Sequence, residues 1–147
     1  MNTRMPIVLV AEDAVADRLL LQEAFLRAGN PTDLRLVNDG QELLAYLHRL
    51  EPWTTARLPD LILLDLKMPG MDGFDALMHI KSDAELKRIP VIVLTASKDE
   101  LDVAKAYAYG ANTYVPKPDS LDELAGVIEV LCRFWFRTCA LPDTSTV

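Results

Sequence analysis

The stretch LILLDLKMPGMDG, residues 61–73, decides how the rest of the sequence is interpreted. Its first four residues form an apolar run that is short enough to be a strand buried on both faces, and the run ends at one carboxylate, Asp65. A loop rich in Pro and Gly follows, so the chain leaves the predicted sheet at this acid. The sequence therefore makes Asp65 the candidate for a reacting group.

Four more segments have the composition of strands, and they alternate with helical periodicity. The predicted strands are residues 7–11, 34–37, 61–64, 91–94 and 113–116, and the predicted helices lie within residues 17–28, 40–50, 74–80, 97–110 and 120–136. Five alternations of strand and helix predict parallel strands that are joined by crossover helices. Strands one, three and four are apolar throughout, whereas Arg35, Thr113 and Pro116 suit edge strands. We predict an α/β fold, a flavodoxin-like doubly wound five-stranded parallel sheet in the order 2-1-3-4-5 with helices on both faces.

Composition limits the functions that the chain can have. Its 147 residues, a net charge of −7 and a pI near 4.7 fit one acidic domain, with a core of about residues 6–137 and a tail of residues 138–147. We expect the tail to fray from residue 142 to its end. The charge argues against nucleic-acid binding, and no apolar run is long enough for a membrane span. Cys132 and Cys139 are expected to be free thiols, which favours the cytoplasm.

Polar side chains follow four of the predicted strands, all at one edge of the sheet. They are Glu12, Asp13, Asp65, Thr95 and Lys117. The predicted strand order opens a crevice at this edge, between strands one and three. Three carboxylates held together repel one another unless a cation is present, and an all-oxygen cluster suits Mg²⁺. One Mg²⁺ and Lys117 would balance the charge of the three carboxylates.

This set of side chains predicts in-line attack on a phosphoryl group, which gives an aspartyl phosphate. Asp65 is the candidate nucleophile and, with Asp13, a direct metal ligand, while Glu12 binds the metal through water. Lys117 offsets charge on the transferred oxygens, and Thr95 donates a hydrogen bond to them.

The same residues carry a resemblance to a known family. The acid pair Glu12-Asp13, residues 65–73, the segment Thr95-Ala96-Ser97, and Tyr114 with Lys117-Pro118 resemble the response-regulator receiver domains of two-component signalling. The resemblance implies that the main-chain carbonyl of Lys67 completes the metal shell and that the Lys117-Pro118 bond is cis. It also implies a switch in which phosphorylation draws Thr95 inward, Tyr114 follows, and the face of helix four, strand five and helix five changes. We therefore expect a phosphoacceptor switch that assists its own phosphorylation and dephosphorylation, rather than an enzyme that releases a product.

The resemblance also implies partners. A receiver domain takes its phosphoryl group from a sensor histidine kinase. The connection around Trp53 and the ending from Phe134 through Pro142 are similar to stand-alone regulators paired with bacterial phytochromes. No segment of the sequence suggests a DNA-binding output domain, so we expect output through a downstream protein or a phosphotransfer protein.

The last predicted helix carries more apolar residues than one sheet face can cover. We therefore predict a homodimer or partner interface that includes Phe134 and Trp135, with Tyr107 and Tyr109 nearby on helix four.

Two other functions fit parts of the pattern. A phosphohydrolase with an aspartate nucleophile shares the chemistry, but such enzymes resemble Asp-x-Asp at the strand end, whereas this chain has Asp65-Leu66-Lys67. A flavin mononucleotide module shares the fold, but the acidic loop after strand one would repel its phosphate. The two histidines, His48 and His79, have no spacing typical of a metal site, so we interpret them as surface or core residues.

Overall fold

The structure, a computed structural model, describes residues 5–144 as five strands with helices on both sides. The strands are β1 (Ile7–Ala11), β2 (Asp33–Val37), β3 (Leu61–Leu64), β4 (Val91–Thr95) and β5 (Thr113–Pro116). All four ladders are parallel, and the order is β2-β1-β3-β4-β5. The predicted fold class and strand order are confirmed.

Five α-helices connect and flank these strands. They are α1 (Val15–Ala28), α2 (Gly40–Leu47), α3 (Gly73–Ser82), α4 (Glu100–Ala108) and α5 (Leu121–Arg133). Side chains at their N-termini satisfy backbone donors: Asp39, Asp72, Asp99 and Ser120 each accept a hydrogen bond from an N–H in the first turn. A π-helical turn, Phe134–Thr138, follows α5, so the predicted last helix changes its geometry after Arg133.

The sheet separates two apolar layers because successive strand residues point to opposite faces. Val8, Val10, Leu61 and Leu63 pack with α1 and α5, whereas Leu9, Ile62 and Leu64 pack with α2, α3 and α4. All four residues of β3 are fully buried. Burial on both faces explains why this strand is a continuous apolar run. It also holds in place the end of the strand that Asp65 follows.

The amino ends of the strands are closed by a polar cluster that includes the chain's tail. Asp60 accepts hydrogen bonds from the backbone N–H of Ile7 at 2.8 Å and the hydroxyl of Thr144 at 3.3 Å. Arg57 donates to Thr144 at 3.1 Å and to the carbonyl of Met5 at 3.0 Å. The expectation that the chain frays from residue 142 is therefore wrong as far as Thr144, and residues 145–147 lie outside the described residues. Between residues 5 and 144, no helix has the length and apolar character needed to cross a membrane.

Candidate functional site

Parallel strands bring the predicted site residues to one edge of the sheet. Glu12 and Asp13 follow β1, Asp65 follows β3, Thr95 ends β4, and Lys117 follows β5. The backbone N–H of Asp65 donates to the carbonyl of Ala11 at 3.2 Å, so the ladder between β1 and β3 extends to the acid. The structure thus gathers all five residues that the sequence predicted for this edge.

Three carboxylates form the centre of the site. Glu12, Asp13 and Asp65 each place one oxygen within 4.8 Å of the others. Glu12 is 1% exposed, whereas Asp13 lies at the surface, so the cluster runs from the core to solvent. Oxygen ligands in this arrangement are the kind that a hard divalent cation takes, and water can complete its shell on the open side.

Lys117 closes the cluster from the side of β5. Its Nζ atom lies 2.6 Å from Oε1 of Glu12, 3.2 Å from Oδ2 of Asp17 and 3.7 Å from Oδ2 of Asp65. Burial acts to lower the pKa of Lys117, but the hydrogen bond to Glu12 and the neighbouring carboxylates outweigh it, so the pKa is raised. Lys117 therefore stays charged beside the acids.

Glu12 has both carboxylate oxygens engaged by the protein. Oε1 accepts from Lys117, and Oε2 accepts from the backbone N–H of Ala14 at 3.2 Å. Burial raises the pKa of Glu12 more strongly than the Lys117 contact lowers it. A carboxylate already bonded in this way is suited to hold a cation through water, as the sequence predicted.

The peptide bond after Lys117 differs from the expectation. Among the described residues, the cis peptide bond joins Glu51 and Pro52, and Lys117-Pro118 is not cis. The backbone N–H of Lys117 donates to the carbonyl of Thr95 at 2.6 Å and continues the β4–β5 ladder. That hydrogen bond fixes Lys117 at the strand end, so its side chain reaches the acids without the expected cis bond.

Thr95 and Lys67 both donate to the reacting-group candidate. The hydroxyl of Thr95 donates to Oδ1 of Asp65 at 2.9 Å, and the backbone N–H of Lys67 donates to the same atom at 3.3 Å. Oδ2 of Asp65 faces Lys117. Oδ1 of Asp65 is therefore held by two hydrogen bonds, and Oδ2 lies toward the ammonium group of Lys117.

Gly73 lets the loop after β3 fold tightly against Asp65. Its N–H donates to the carbonyl of Leu66 at 2.8 Å. A Cβ atom at this position would collide with the carbonyl oxygen of Asp65 and would lie 2.6 Å from Cα of Leu66. Both neighbours are backbone atoms, which cannot move aside without displacing Asp65. This steric requirement for glycine was not evident from the sequence, which indicated only a turn and a helix start.

Tyr114 is buried next to this edge, with 9% of its surface exposed. Its hydroxyl donates to the carbonyl of Ser97 at 2.8 Å, and its backbone N–H donates to the hydroxyl of Tyr107 at 3.2 Å. Burial raises the pKa of the Tyr114 hydroxyl, so it remains a donor at neutral pH. Two hydrogen bonds therefore hold Tyr114 next to this edge.

The predicted interface residues lie at the C-terminal end of α4 and in the π-helical turn that follows α5. Tyr107 is 49% exposed and Phe134 is 47% exposed. Tyr109 is half-buried against the ring of Phe74, with ring centroids 6.1 Å apart, and Trp135 packs partly on the core beneath α5. Of these four residues, only Tyr107 and Phe134 present a large free apolar surface.

Two functional-site residues were missed from the sequence. Asp17, in the first turn of α1, supplies a fourth carboxylate near Lys117 that the predicted charge balance left out. The side chain of Arg18 donates to the carbonyls of Glu12 at 3.1 Å and Asp13 at 3.4 Å, so it holds the backbone of the acidic loop in place. Their position four to six residues after the acid pair, on the first helical turn, was the available signal.

Comparison with known proteins identifies the family to which this chain belongs. Residues 8–129 match the response regulator receiver domain, and the chain is a member of that family. It is 37% identical over 136 residues to the response regulator Rcp1 of Synechocystis, with 92% of each chain covered. This membership favours two-component signalling over the phosphohydrolase and flavin functions considered from the sequence.

Two solved structures are similar over almost the whole chain. The phosphorylated cyanobacterial phytochrome response regulator RcpA has a TM-score of 0.89 at 39% identity, covering 95% of this chain and 100% of its own. The Mn²⁺-bound form of Rcp1 has a TM-score of 0.85 at 36% identity, covering 94% and 99%. The resemblance to phytochrome-associated regulators inferred from the sequence agrees with the similarity to RcpA.

Proposed function

We propose that this protein is a response regulator that accepts a phosphoryl group on Asp65 in a Mg²⁺-dependent reaction. The observation that carries the proposal is the convergence of the Glu12, Asp13 and Asp65 carboxylates within 4.8 Å, beside the charged amine of Lys117. Of the three acids, Asp65 is the proposed acceptor because the Thr95 hydroxyl bonds one of its carboxylate oxygens and the other faces Lys117.

The residues present fit Mg²⁺. Asp13 and Asp65 would bind it directly, Glu12 would bind it through water because its oxygens are already engaged, and the main-chain carbonyl of Lys67 would complete the protein ligands. The bound ion would supply positive charge to the transferred phosphoryl oxygens. The relative Rcp1 has a Mn²⁺-bound form, which supports the binding of a divalent cation by this protein.

The side chains then have distinct tasks in the transfer. An oxygen of Asp65 forms a bond to phosphorus while the bond from phosphorus to the donor imidazole nitrogen breaks, and that nitrogen keeps the electron pair. Lys117 offsets charge on the transferred oxygens from the side of β5. Thr95 turns its hydroxyl from Asp65 to a phosphoryl oxygen, a change that needs only a small rotation because the atoms are already 2.9 Å apart.

We infer that the signal leaves the site through Thr95 and Tyr114. Thr95 ends β4 and Tyr114 pairs with Val93 of the same strand, so a shift at Thr95 acts on neighbouring backbone. Tyr114 in turn bonds Ser97 before α4 and Tyr107 on α4. The face formed by α4, β5 and α5 is therefore the proposed output surface.

The proposed donor is a sensor histidine kinase, with a bacterial phytochrome as the sensor. The phytochrome relation of RcpA supports this choice. The proposed receiver of the signal is a downstream protein or a phosphotransfer protein. We place the exchange in the cytoplasm, where the free thiols Cys132 and Cys139 stay reduced.

Incubation with Mg²⁺ and acetyl phosphate, followed by intact mass spectrometry, tests the acceptor assignment. We expect one hydroxylamine-labile phosphoryl adduct on the wild type and none on Asp65→Asn. Asp60→Asn is the matched control, since Asp60 lies at the other end of β3, and it should label like the wild type. Equal labelling of Asp65→Asn, or wild-type labelling that survives a chelator, would contradict the proposal.

We also propose a homodimer through Phe134 and Trp135, with Tyr107 and Tyr109 at its border. The exposed ring of Phe134 lies next to the 59% exposed Val130, which makes a small apolar patch at the end of α5. Sedimentation over a concentration series, with and without phosphodonor, tests it. Phe134→Ser should shift the association to higher concentration, and a wild type that stays monomeric throughout would contradict the dimer.

A further inference from the structure

The two histidines of the chain form a pair on its surface. His48 ends α2, and His79 lies in the last turn of α3. Their Nε2 atoms are 3.0 Å apart, and the rings are nearly perpendicular, with centroids separated by 5.2 Å. Both histidines lie at the surface, one of the two positions that the sequence predicted. Their spacing along the chain did not indicate the contact, because packing of α2 on α3 brings together residues 31 positions apart.

The backbone on both sides of the pair is fixed, whereas the rings are free to turn. Leu47 and Ile80, the neighbours of His48 and His79, are buried in the same core layer. Arg49 adopts φ 55°, a left-handed conformation that ends the helix directly after His48. Both imidazoles are exposed to solvent. The pair is thus anchored through its buried neighbours and remains accessible from outside.

We propose that His48 and His79 form a site for a late first-row transition-metal ion, such as Zn²⁺, which binds their two Nε2 atoms. Two imidazole nitrogens bound to one tetrahedral zinc at their usual bond length are roughly 3.3 Å apart. The observed separation of 3.0 Å differs from this by only a few tenths of an ångström. Each exposed ring would turn so that its lone pair points at the ion rather than at the other ring.

The chemistry of the pair selects the ion. Neutral imidazole favours zinc, copper and nickel, whereas Mg²⁺ prefers the oxygen ligands at the carboxyl edge. One ring of the neutral pair donates from Nε2, and that ring would change to its Nδ1–H tautomer, so the neutral pair releases no proton. His48 also lines an open cavity with Asp83, whose Oδ1 accepts hydrogen bonds from the backbone N–H groups of Glu85 and Leu86. The other oxygen of Asp83 and water would fill the remaining positions.

This site is independent of phosphoryl transfer to Asp65. It would cross-link the end of α2 to α3, the helix that begins directly after the acceptor loop. A bound ion would therefore stabilise the folded state, because the unfolded chain does not hold the two nitrogens together.

Proton NMR of the untagged protein during a Zn²⁺ titration tests the proposal, since only two imidazole Hε1 signals exist. The titration is made in excess Mg²⁺, so that the acidic cluster does not compete for zinc. We expect both signals to shift together and to saturate at one equivalent of zinc, with a raised midpoint of thermal unfolding. His48→Gln and His79→Gln should each abolish saturable binding, and both should fold because the two side chains are exposed.

Two further variants assign the binding to the histidines. Cys139→Ser removes the half-buried thiol, and Asp65→Asn removes the acceptor; both should bind zinc like the wild type and show the same shifts. Histidine signals that stay unmoved at one equivalent, or undiminished zinc binding by either glutamine variant, would overturn the site. Loss of zinc binding in Asp65→Asn would assign the zinc to the acidic edge instead and would likewise overturn it.

Discussion

The hydroxyl of Thr95 lies 2.9 Å from Oδ1 of Asp65, so the last residue of β4 donates a hydrogen bond to the acid that follows β3. The backbone N–H of Asp65 bonds the carbonyl of Ala11, Thr95 pairs with Pro116 in the sheet, and Thr95 is fully buried. The hydroxyl is therefore positioned before any phosphoryl group arrives, and this placement lowers the reorganisation that the transfer requires.

Thr95→Val should slow phosphoryl transfer while leaving the fold intact. The variant keeps the side-chain shape but removes the donor, so we expect a transfer rate about tenfold lower, which is about 1.4 kcal/mol in the barrier. The free energy of unfolding should fall by about 1 kcal/mol. Rates from acetyl phosphate and urea unfolding measure the two effects. Thr95→Ser should retain most of both, and a serine variant as slow as valine would contradict the assigned role.

Lys117→Met should destabilise the protein because it leaves Glu12 buried without its cation. Removing one partner of a buried pair costs about 3 kcal/mol, most of it from the charge that remains. The double variant Glu12→Gln/Lys117→Met should recover most of this loss in urea unfolding. If the double variant is as unstable as the single one, the pairing does not explain the burial of Glu12.

Asp13→Asn should stabilise the protein when no divalent cation is present. The substitution removes one of three clustered negative charges, and we expect the midpoint of thermal unfolding to rise by about 2–4 °C. The further rise that Mg²⁺ gives the wild type should be lost. Asp119→Asn, an exposed residue with the same charge change, should keep the response to Mg²⁺.

Gly73→Ala should be far more harmful than alanine at another helical glycine. Its Cβ would collide with backbone atoms of Asp65 and Leu66, so we expect both the free energy of unfolding and phosphorylation to decrease sharply. Gly126 lies in α5, where an added Cβ would meet no atom within 4 Å, and Gly126→Ala should stabilise the helix by about 0.5–1 kcal/mol. Chemical unfolding and labelling from acetyl phosphate, measured on both variants, make the comparison.

The two cysteines should differ in reactivity. Burial raises the pKa of Cys132 to about 11, so its thiol stays protonated and unreactive at pH 8, whereas half-buried Cys139 should alkylate. Peptide mapping after iodoacetamide treatment of the native protein measures this. Because folding raises the pKa above its ordinary value of 9.0, the contribution of Cys132 to stability is complete below pH 9 and is lost as the pH rises toward 11. Denatured protein should label at both positions.

The strand order and the site edge could be predicted because each depends on a local property of the sequence. A strand buried on both faces must be apolar along almost its whole length, as β1 and β3 are throughout and β4 is up to Thr95. The residue after such a strand necessarily reaches the carboxyl edge. Asp13, Asp65 and Lys117 could therefore be placed without knowing a single distance.

Other features could not be predicted because they depend on how the helices and loops pack against the sheet and against one another. Asp17 reaches Lys117 across 100 residues only because α1 presents its first turn to the site. His48 and His79 meet only through the packing of α2 on α3. The steric requirement at Gly73 arises because the loop folds back against Asp65, and no pattern of residues in the sequence indicates it.

Arg57 contacts Met5 through one guanidinium nitrogen and Thr144 through another, so the two ends of the described chain lie side by side. They meet at the amino ends of the strands, a full strand length from Asp65. A circular permutant that joins these ends by a short linker should therefore fold with its reacting edge unchanged, and a reporter domain attached at either end would leave that edge open to a kinase. Insertion into a longer chain through these two ends would therefore place the neighbouring domains on the side of the sheet away from Asp65.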